Sequence, residues 1–459
     1  MNLSRQEFLK GVLASLGFGV LESQRIFAAP PGWERPSNPN VSFGIVSDTH
    51  LRTDLSGKKL AGLDRYIMSA FRYFKEQNVD AVANCGDMAD RGQTAELEFH
   101  ADVWKRVFGD KGPVKLFVAG NHDLEGFRYG LGLRMRVDKI YPDPVEMSKH
   151  LLASDFASEW ERIWGEKYER VWHKVIKGYH FFGRHWDVDE SELVEKLKGF
   201  SPDKGKPFFL FSHQRSTKLG KTGLPFDNAV GFFGHWHCSA SNWNQIYFFP
   251  GYSFPCVQVP SCSVYGKFGF GKDAYITKAT IEGKESAKKG YQGYVVRVYD
   301  DFLAIERREF SKGGSLGPDW IMPLKREKGK PHPFSKRELK KVIGVPQFGE
   351  NAKLEASLVN AGDESACLCV SLPLADANPN SRVYAYEVRI TGNEKSKKLV
   401  KAVYASGVHM AAGHEPNGGV TKLSIPLKEL PQGKVLTLAA KPMSSLGTAG
   451  RQIVTEVNL

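Results

Sequence analysis

The sequence predicts an α/β domain followed by a second, all-β sandwich domain. Two patterns carry that prediction. From Val41 short apolar runs alternate with stretches of helical period, each run ending in a polar cluster, and from about Val345 period-two alternation broken by Gly, Asn and Pro takes over. A chain of 459 residues allows two or three domains. With 41% hydrophobic and 25% charged residues it has the composition of an ordinary globular protein, which excludes the collagen-like, disordered and coiled-coil classes. Its 6 Cys include no C-x-x-C pair, so neither a zinc ribbon nor a disulfide scaffold is expected; Cys256 and Cys262 are free to pair, and nothing requires it.

Residues 1–30 read as an export signal. Arg5 and Lys10 precede the apolar run 11–21, which falls well short of the ~20 residues needed to span a bilayer, and the small residues Ala28 and Ala29 follow. An exported, periplasmic or extracellular location is therefore expected, without a transmembrane anchor. The alternative is an amphipathic N-terminal helix of a cytoplasmic protein. The stretch Ser4-Arg5-Gln6-Glu7-Phe8-Leu9-Lys10 resembles a twin-arginine signal, S-R-R-x-F-L-K, with Gln6 where the second arginine belongs.

The first domain is read over residues 40–322. The run VSFGIVS ends at Asp48, and Leu60, Leu63, Ile67, Ala70, Phe71 and Phe74 then form one helical face. VDAVANC ends at Gly86-Asp87, ELEFHADVWKRVF is a second helix, and VKLFVAG ends at Asn121-His122-Asp123. PFFLFS ends at His213 and AVGFFG at His235-Trp236-His237. Open α/β sheets bind ligands beyond the carboxyl ends of their strands, so these five clusters can converge on one site although they are far apart in sequence. Residues 124–170 are an insertion. Its Trp160 and Trp164, with Trp172 just beyond, are read as packing into the core from an amphipathic helix, with a substrate-stacking cap as the alternative. The loop SASNWNQ after His237 is a second candidate for substrate contact, and His185-Trp186 falls where a strand should end beside the pocket.

Lys and Arg outnumber Asp and Glu by 63 to 51, a net charge of +12, and half of the excess lies in residues 325–341. A single aromatic ring, Phe334, stands among those bases, fewer than a stacking surface would need, so residues 323–344 are read as a solvated basic linker and specific nucleic-acid binding is not expected. Residues 345–459 carry 12 basic and 10 acidic residues in segments such as KLEASLV, VYAYEVRI and VLTLAAKP, which read as a β-sandwich with a structural or docking role toward another domain, a protein or a glycan. Cys367 and Cys369, two apart on one strand, face the same side and are not expected to bond to each other.

Asp48, His50, Asp87, Asn121, His213, His235 and His237 together offer two carboxylates, four imidazoles and one amide oxygen. That mixture of hard oxygen and borderline nitrogen donors suits Mn, Fe or Zn, and seven ligands are too many for one tetrahedral ion but fit two ions sharing a carboxylate. Asp90 reads as the cap of the helix that follows it.

In this order the motifs D-x-H (Asp48, His50), G-D-x-x-D-R-G (86–92), G-N-H-D (120–123), a lone His213 after a strand and G-H-x-H (234–237) resemble those of the calcineurin-like metallophosphoesterases. The resemblance implies a four-layer fold of two packed sheets flanked by helices. It implies a first divalent or trivalent metal ion on Asp48, His50 and His237, a second on Asn121, His213 and His235, and Asp87 bridging the two. It further implies that His122 protonates the leaving oxygen or stabilises the transition state, that Asp123 orients His122, and that Arg91, by likeness to the protein-phosphatase version of the motif, grips a phosphate oxygen alongside Asn121 and His122. The expected reaction is in-line attack on a phosphate ester, small or lipid-linked, by a metal-bridging hydroxide, with a diester favoured over a monoester. A metal-containing binding protein without turnover is the alternative from another class. The C-terminal segment resembles the fibronectin-type sandwich that some exported phosphoesterases carry.

Overall fold

The computed structural model describes residues 34–459 except 55–56, 129–155, 204, 216–218, 220–227, 248–253, 264–279, 282–290, 325–330, 333, 360–365, 377–381, 394–397 and 412. The expected export signal lies outside the described residues, as do residues 129–155 of the expected insertion.

The first half of the leading domain runs β1 (Val41–Val46), α1 (Arg65–Glu76), β2 (Ala81–Asn84), α2 (Thr94–Phe108), β3 (Val114–Phe117), α3 (Asn121–Arg128) and α4 (Phe156–Trp164). The second half runs β4 (Val171–Ile176), β5 (Tyr179–Arg184), α5 (Glu190–Lys198), β6 (Phe208–Ser212), β7 (Ala229–Phe233), β8 (Ile246–Tyr247) and β9 (Cys256–Gln258). After the short β10 (Thr280–Ile281), the chain returns to the first sheet with β11 (Gln292–Val298), β12 (Phe302–Glu309), β13 (Gly314–Ser315) and β14 (Trp320–Pro323). One sheet has the order β13-β12-β11-β1-β2-β3, with β14 beside β12, and the other β4-β5-β6-β7-β9-β8. Strands β1, β2 and β3 are mutually parallel, as are β5, β6, β7 and β9, so their carboxyl ends gather along one edge of each sheet.

The sheets face each other through a phenylalanine core. Phe43 of β1 meets the rings of Phe181, Phe209, Phe211 and Phe232 edge-on at 5.7, 5.2, 5.9 and 5.7 Å. The opposite face of the first sheet packs on α1, α2 and α4, and that of the second on α5. Helix, sheet, sheet and helix thus form layers, and every residue of β1 is buried, which is why its sequence reads as a continuous apolar run rather than an alternation. Trp160, Trp164 and Trp172 are core residues, 4%, 5% and 6% exposed, so the packing reading of the tryptophans holds. Cys256 and Cys262 are separate buried thiols.

The basic segment expected as a solvated linker is partly packed. It contains α6 (Lys336–Val342), whose Leu339 is buried with Phe334 and Ile343 in the core of the leading domain while Lys340 and Lys341 point outward. The helix is amphipathic, and the basic run along the sequence conceals its apolar side.

The C-terminal region contains β15 (Gln347–Phe348), β16 (Glu355–Val359), β17 (Cys367–Leu372), β18 (Ala375–Asp376), β19 (Ala385–Thr391), β20 (Leu399–Tyr404), β21 (Thr421–Pro426), β22 (Val435–Met443) and β23 (Ile453–Asn458). A three-stranded sheet, β16-β17-β21, faces a sheet of order β10-β20-β19-β22-β23 across a core that includes Tyr386, Leu368, Val388, Ile425 and Leu436. The alternation in β21 and β22 follows from one buried face and one open face.

Candidate metal centre

Five strand ends deliver the side chains. Beyond β1 and β2 the chain keeps pairing for a few residues: Asp48 N–H donates to the Gly86 carbonyl at 2.9 Å and His50 N–H to the Asp87 carbonyl at 3.0 Å. Asp48, His50, Asp87, His235 and His237 nevertheless have φ of 52°, 44°, 55°, 74° and 48°. A non-glycine residue in the left-handed region is costly, so such residues persist only where the surroundings over-determine them, and here they cluster around one point.

Asp87 is at the centre. Its Oδ1 accepts from the His122 backbone N–H at 2.9 Å, while Oδ2 lies 3.1 Å from His213 Nε2 and 3.7 Å from His50 Nε2. On one side His50 Nε2 and His237 Nε2 face each other at 3.0 Å, and His237 Nε2 is 3.3 Å from Asp48 Oδ1. On the other, His213 Nε2 is 3.1 Å from both Asn121 Oδ1 and His235 Nδ1. All seven expected ligands are therefore together. The potential ligand atoms of Asp48, His50, Asp87 and His237 lie within 4.8 Å of one another, as do those of Asp87, His213 and His235. Imidazole nitrogens converging on carboxylates at this range fit a pair of cations held between them.

The electrostatics agree with that fit. Burial alone would raise both carboxylates, but the imidazoles outweigh it: His237 and His213 hold Asp48 at about 2, and His213, His122 and His50 hold Asp87 well below the usual carboxylate range. Burial, reinforced by neighbouring His213, lowers His235 to about 4, which leaves it neutral and ready to donate a lone pair.

Supports behind the cluster fix the donors. His213 Nδ1 donates to the Cys85 carbonyl at 2.7 Å, which leaves Nε2 facing Asp87. The Asp48 carbonyl accepts from Ser261 Oγ at 3.1 Å and Ser263 Oγ at 2.8 Å, and the Asp48 carboxylate accepts from the His235 backbone N–H at 3.1 Å. Gly120 leaves room for Asp87, since a Cβ there would overlap Asp87 Oδ1. Gly120→Ala is therefore expected to displace Asp87, lower metal uptake and cost about 1–3 kcal/mol of stability. Metal content and thermal melting check this, and a folded variant with full metal content would exclude Asp87 as a ligand.

Residues 41–239 match the family model described as calcineurin-like phosphoesterase. The chain carries a calcineurin-like phosphoesterase domain. Its enzyme class is accordingly that of a metal-dependent phosphoric ester hydrolase. Among curated proteins no match is found. Solved structures similar to the chain include a dimetal phosphatase from Danio rerio (9% identity, 63% of this chain and 100% of that one, TM-score 0.33). They also include a purple acid phosphatase from yellow lupin, Lupinus luteus (13%, 63% and 55%, 0.38), and an archaeal phosphodiesterase (15%, 56% and 93%, 0.24). At TM-scores below 0.5 these likenesses carry no inference about function.

Three expectations for the phosphoesterase domain are corrected by the geometry. Asp123 does not orient His122: its two oxygens accept from the backbone N–H groups of Ala89 and Gly120, each at 2.7 Å, and His122 Nδ1 donates instead to the Asp90 carbonyl at 2.7 Å. Asp123 is wholly buried, and burial with nearby Asp87 pushes it up to about 7. Asp90 is not the cap of α2, because Gln93 and Glu96 form a capping box there; its carboxylate lies 3.2 Å from His50 Nδ1 and 2.8 Å from Arg52 Nε. The loop at residues 239–245 is not open to substrate, since its residues are buried apart from half-buried Asn244.

Arg91 is partly exposed, with Nε 4.0 Å from Asp90 Oδ2. Trp186 lines the cluster, its ring 5.6 Å from that of His213 and 5.2 Å from that of His235, whereas His185 is buried and accepts from Ala119 N–H at 2.9 Å. The sequence reading missed Asp90, Ser261 and Ser263. Asp90 stood inside the G-D-x-x-D-R-G motif, but nothing in the sequence marks the two serines.

Proposed function

We propose that this chain is an exported dinuclear metal-dependent phosphoesterase that favours phosphodiesters, with its phosphoesterase domain at residues 40–322, a basic connection at 323–344 and a fibronectin-like sandwich at 345–459. The observation that carries the reading is the position of Asp87 Oδ2 between His213 and His50, one carboxylate oxygen shared by two converging donor groups. Asp48, His50, Asp87 and His237 would hold one ion, and Asp87, Asn121, His213 and His235 the other, with Mn, Fe and Zn all suited to these donors. When bound, such a pair supplies a nucleophile from water near neutral pH and clamps the oxygens of the phosphoryl group.

The chain's own residues do the rest. Because a carbonyl only accepts, the Asp90 carbonyl keeps a proton on His122 Nδ1, so Nε2 is the atom that gives a proton to the departing oxygen. His50 lies beside it, the two rings 4.7 Å apart and nearly perpendicular. Asp90 also steadies His50 at Nδ1, which leaves Nε2 turned toward Asp87. His50, Asp90 and His122 form a third grouping close enough to hold an ion, but an ion there would compete for His50, and we assign Asp90 and His122 to support and proton transfer.

A diester and a monoester would be held by the same donors, so the preference for a diester is decided by the assay that follows. Export rests on residues 1–30. Among the described residues, no helix is long and apolar enough to cross a membrane.

The test is hydrolysis of bis-p-nitrophenyl phosphate beside p-nitrophenyl phosphate after chelation and reloading with Mn, Fe or Zn. Metal-dependent turnover with the diester preferred is expected. A preference for the monoester would replace the diester reading, and metal uptake without turnover of either ester would leave the binding protein.

A further inference from the structure

We infer that the C-terminal sandwich is a working part of the metal centre, because it clamps the loop that follows His237 and so holds His235 and His237 in place. The inference rests on the proposed roles of those two histidines as ligands. Both occupy left-handed backbone, which is maintained only if the segments on either side are fixed. Before His235, the chain is fixed by β7 and by the Gly234 N–H bond to the His213 carbonyl at 3.0 Å. After His237, no strand follows until β8, and the fixing falls to residues 239–245.

That loop is gripped from two directions. From the phosphoesterase domain, Gln292 Oε1 accepts from Ala240 N–H at 2.8 Å. Arg307 Nη1 donates to the Ala240 carbonyl at 3.1 Å, with its guanidinium 5.5 Å from the Trp243 ring and 4.9 Å from that of Trp320. From the C-terminal sandwich, the Val408 carbonyl accepts from Ser241 Oγ at 2.5 Å, and His409 Nδ1 is 2.9 Å from Ser239 Oγ. Ser445 Oγ accepts from Trp243 N–H at 3.2 Å, and the Ser445 carbonyl accepts from Asn244 Nδ2 at 2.6 Å.

Gln292 links the two grips, because its Nε2 donates to the His409 carbonyl at 2.7 Å. The sandwich side is itself braced: Arg382 donates to the carbonyls of Met410 at 2.6 Å and Gly407 at 2.9 Å, which fixes the turn that presents Val408 and His409. These are buried polar contacts on a segment with little regular structure. Without the sandwich, Ser241, Trp243 and Asn244 would lose their partners, and the backbone that sets the direction of His237 would be free to relax.

A purely stabilising interface would not predict a change at the metals. The test therefore uses the full chain with Ser241→Ala and Ser445→Ala combined, and Arg382→Gln as a second variant that acts on the sandwich side alone should the first fail to fold. Ser357→Ala, on the exposed strand β16, is the control. Zn or Mn affinity is read by chelator competition, and hydrogen exchange is read over residues 235–245. The expected result is at least about a tenfold weaker binding of one of two ions, as for lost support behind a ligand, with faster exchange in the loop and no change in the control. Lower melting temperature with both metal affinities within about twofold of wild type would overturn the inference and leave a structural contact. Wild-type protein that takes up no metal would instead end the metal-site reading and this inference with it, an outcome visible before any variant is compared.

Discussion

Replacing Asp87 by alanine is expected to empty the phosphoesterase domain of both metal ions and to lower kcat/KM by at least about a thousandfold. Each of the other proposed ligands belongs to one side of the cluster, and Asp87 alone reaches both, through an oxygen 3.1 Å from His213 and 3.7 Å from His50. Without it, His50 Nε2 and His237 Nε2 would still face each other at 3.0 Å, with Asp48 as the one remaining carboxylate among the ligands. Four imidazoles, the Asn121 amide oxygen and one carboxylate leave three donors for each ion and a single negative charge, too little to hold two. Asp87→Asn separates the two contributions, since the amide oxygen keeps a donor and loses the charge, and it should retain more metal than Asp87→Ala. Metal content by elemental analysis is the readout. Two ions retained in Asp87→Ala would show that Asp87 bridges nothing.

The cluster of proposed ligands was legible because each stands just beyond a strand, and a parallel sheet sends such positions to one edge whatever their separation in sequence. The supports were less legible, for physical reasons. Asp90 looked like a helix cap because Asp is a good cap; the distinction lay three residues on, where Gln93 and Glu96 already satisfy the first turn of α2. His122 seemed paired with the next acid, but its partner is a backbone carbonyl, and carbonyls have no sequence signature. The loop at residues 239–245 is polar enough to suggest a substrate surface. Its polar groups are instead spent on Val408, His409 and Ser445, more than 150 positions away, a distance over which local pattern says nothing. The same holds for α6, where the basic run hid the apolar side carrying Leu339. Strand alternation revealed the C-terminal sheets themselves, whereas their docking to the loop that follows His237 is a tertiary fact.

His122→Ala should separate proton transfer from metal binding. The substitution keeps the backbone N–H that donates to Asp87 Oδ1, and the lost imidazole was bonded through Nδ1 to the Asp90 carbonyl. Metal content is therefore expected to match wild type, while turnover falls about 10²–10⁴-fold, the range for a lost general acid. The size of the loss should depend on the leaving group. A p-nitrophenolate departs without a proton, so its ester should lose least, whereas an alkyl phosphodiester, whose alkoxide needs protonation, should lose most. If His122 instead only stabilises charge on the phosphoryl oxygens, the two esters would lose equally, because those oxygens are common to both. An equal loss would thus remove the proton from the mechanism and keep His122 at the site. Metal loss in His122→Ala comparable to that in Asp87→Ala would place His122 among the ligands, in the grouping it forms with His50 and Asp90.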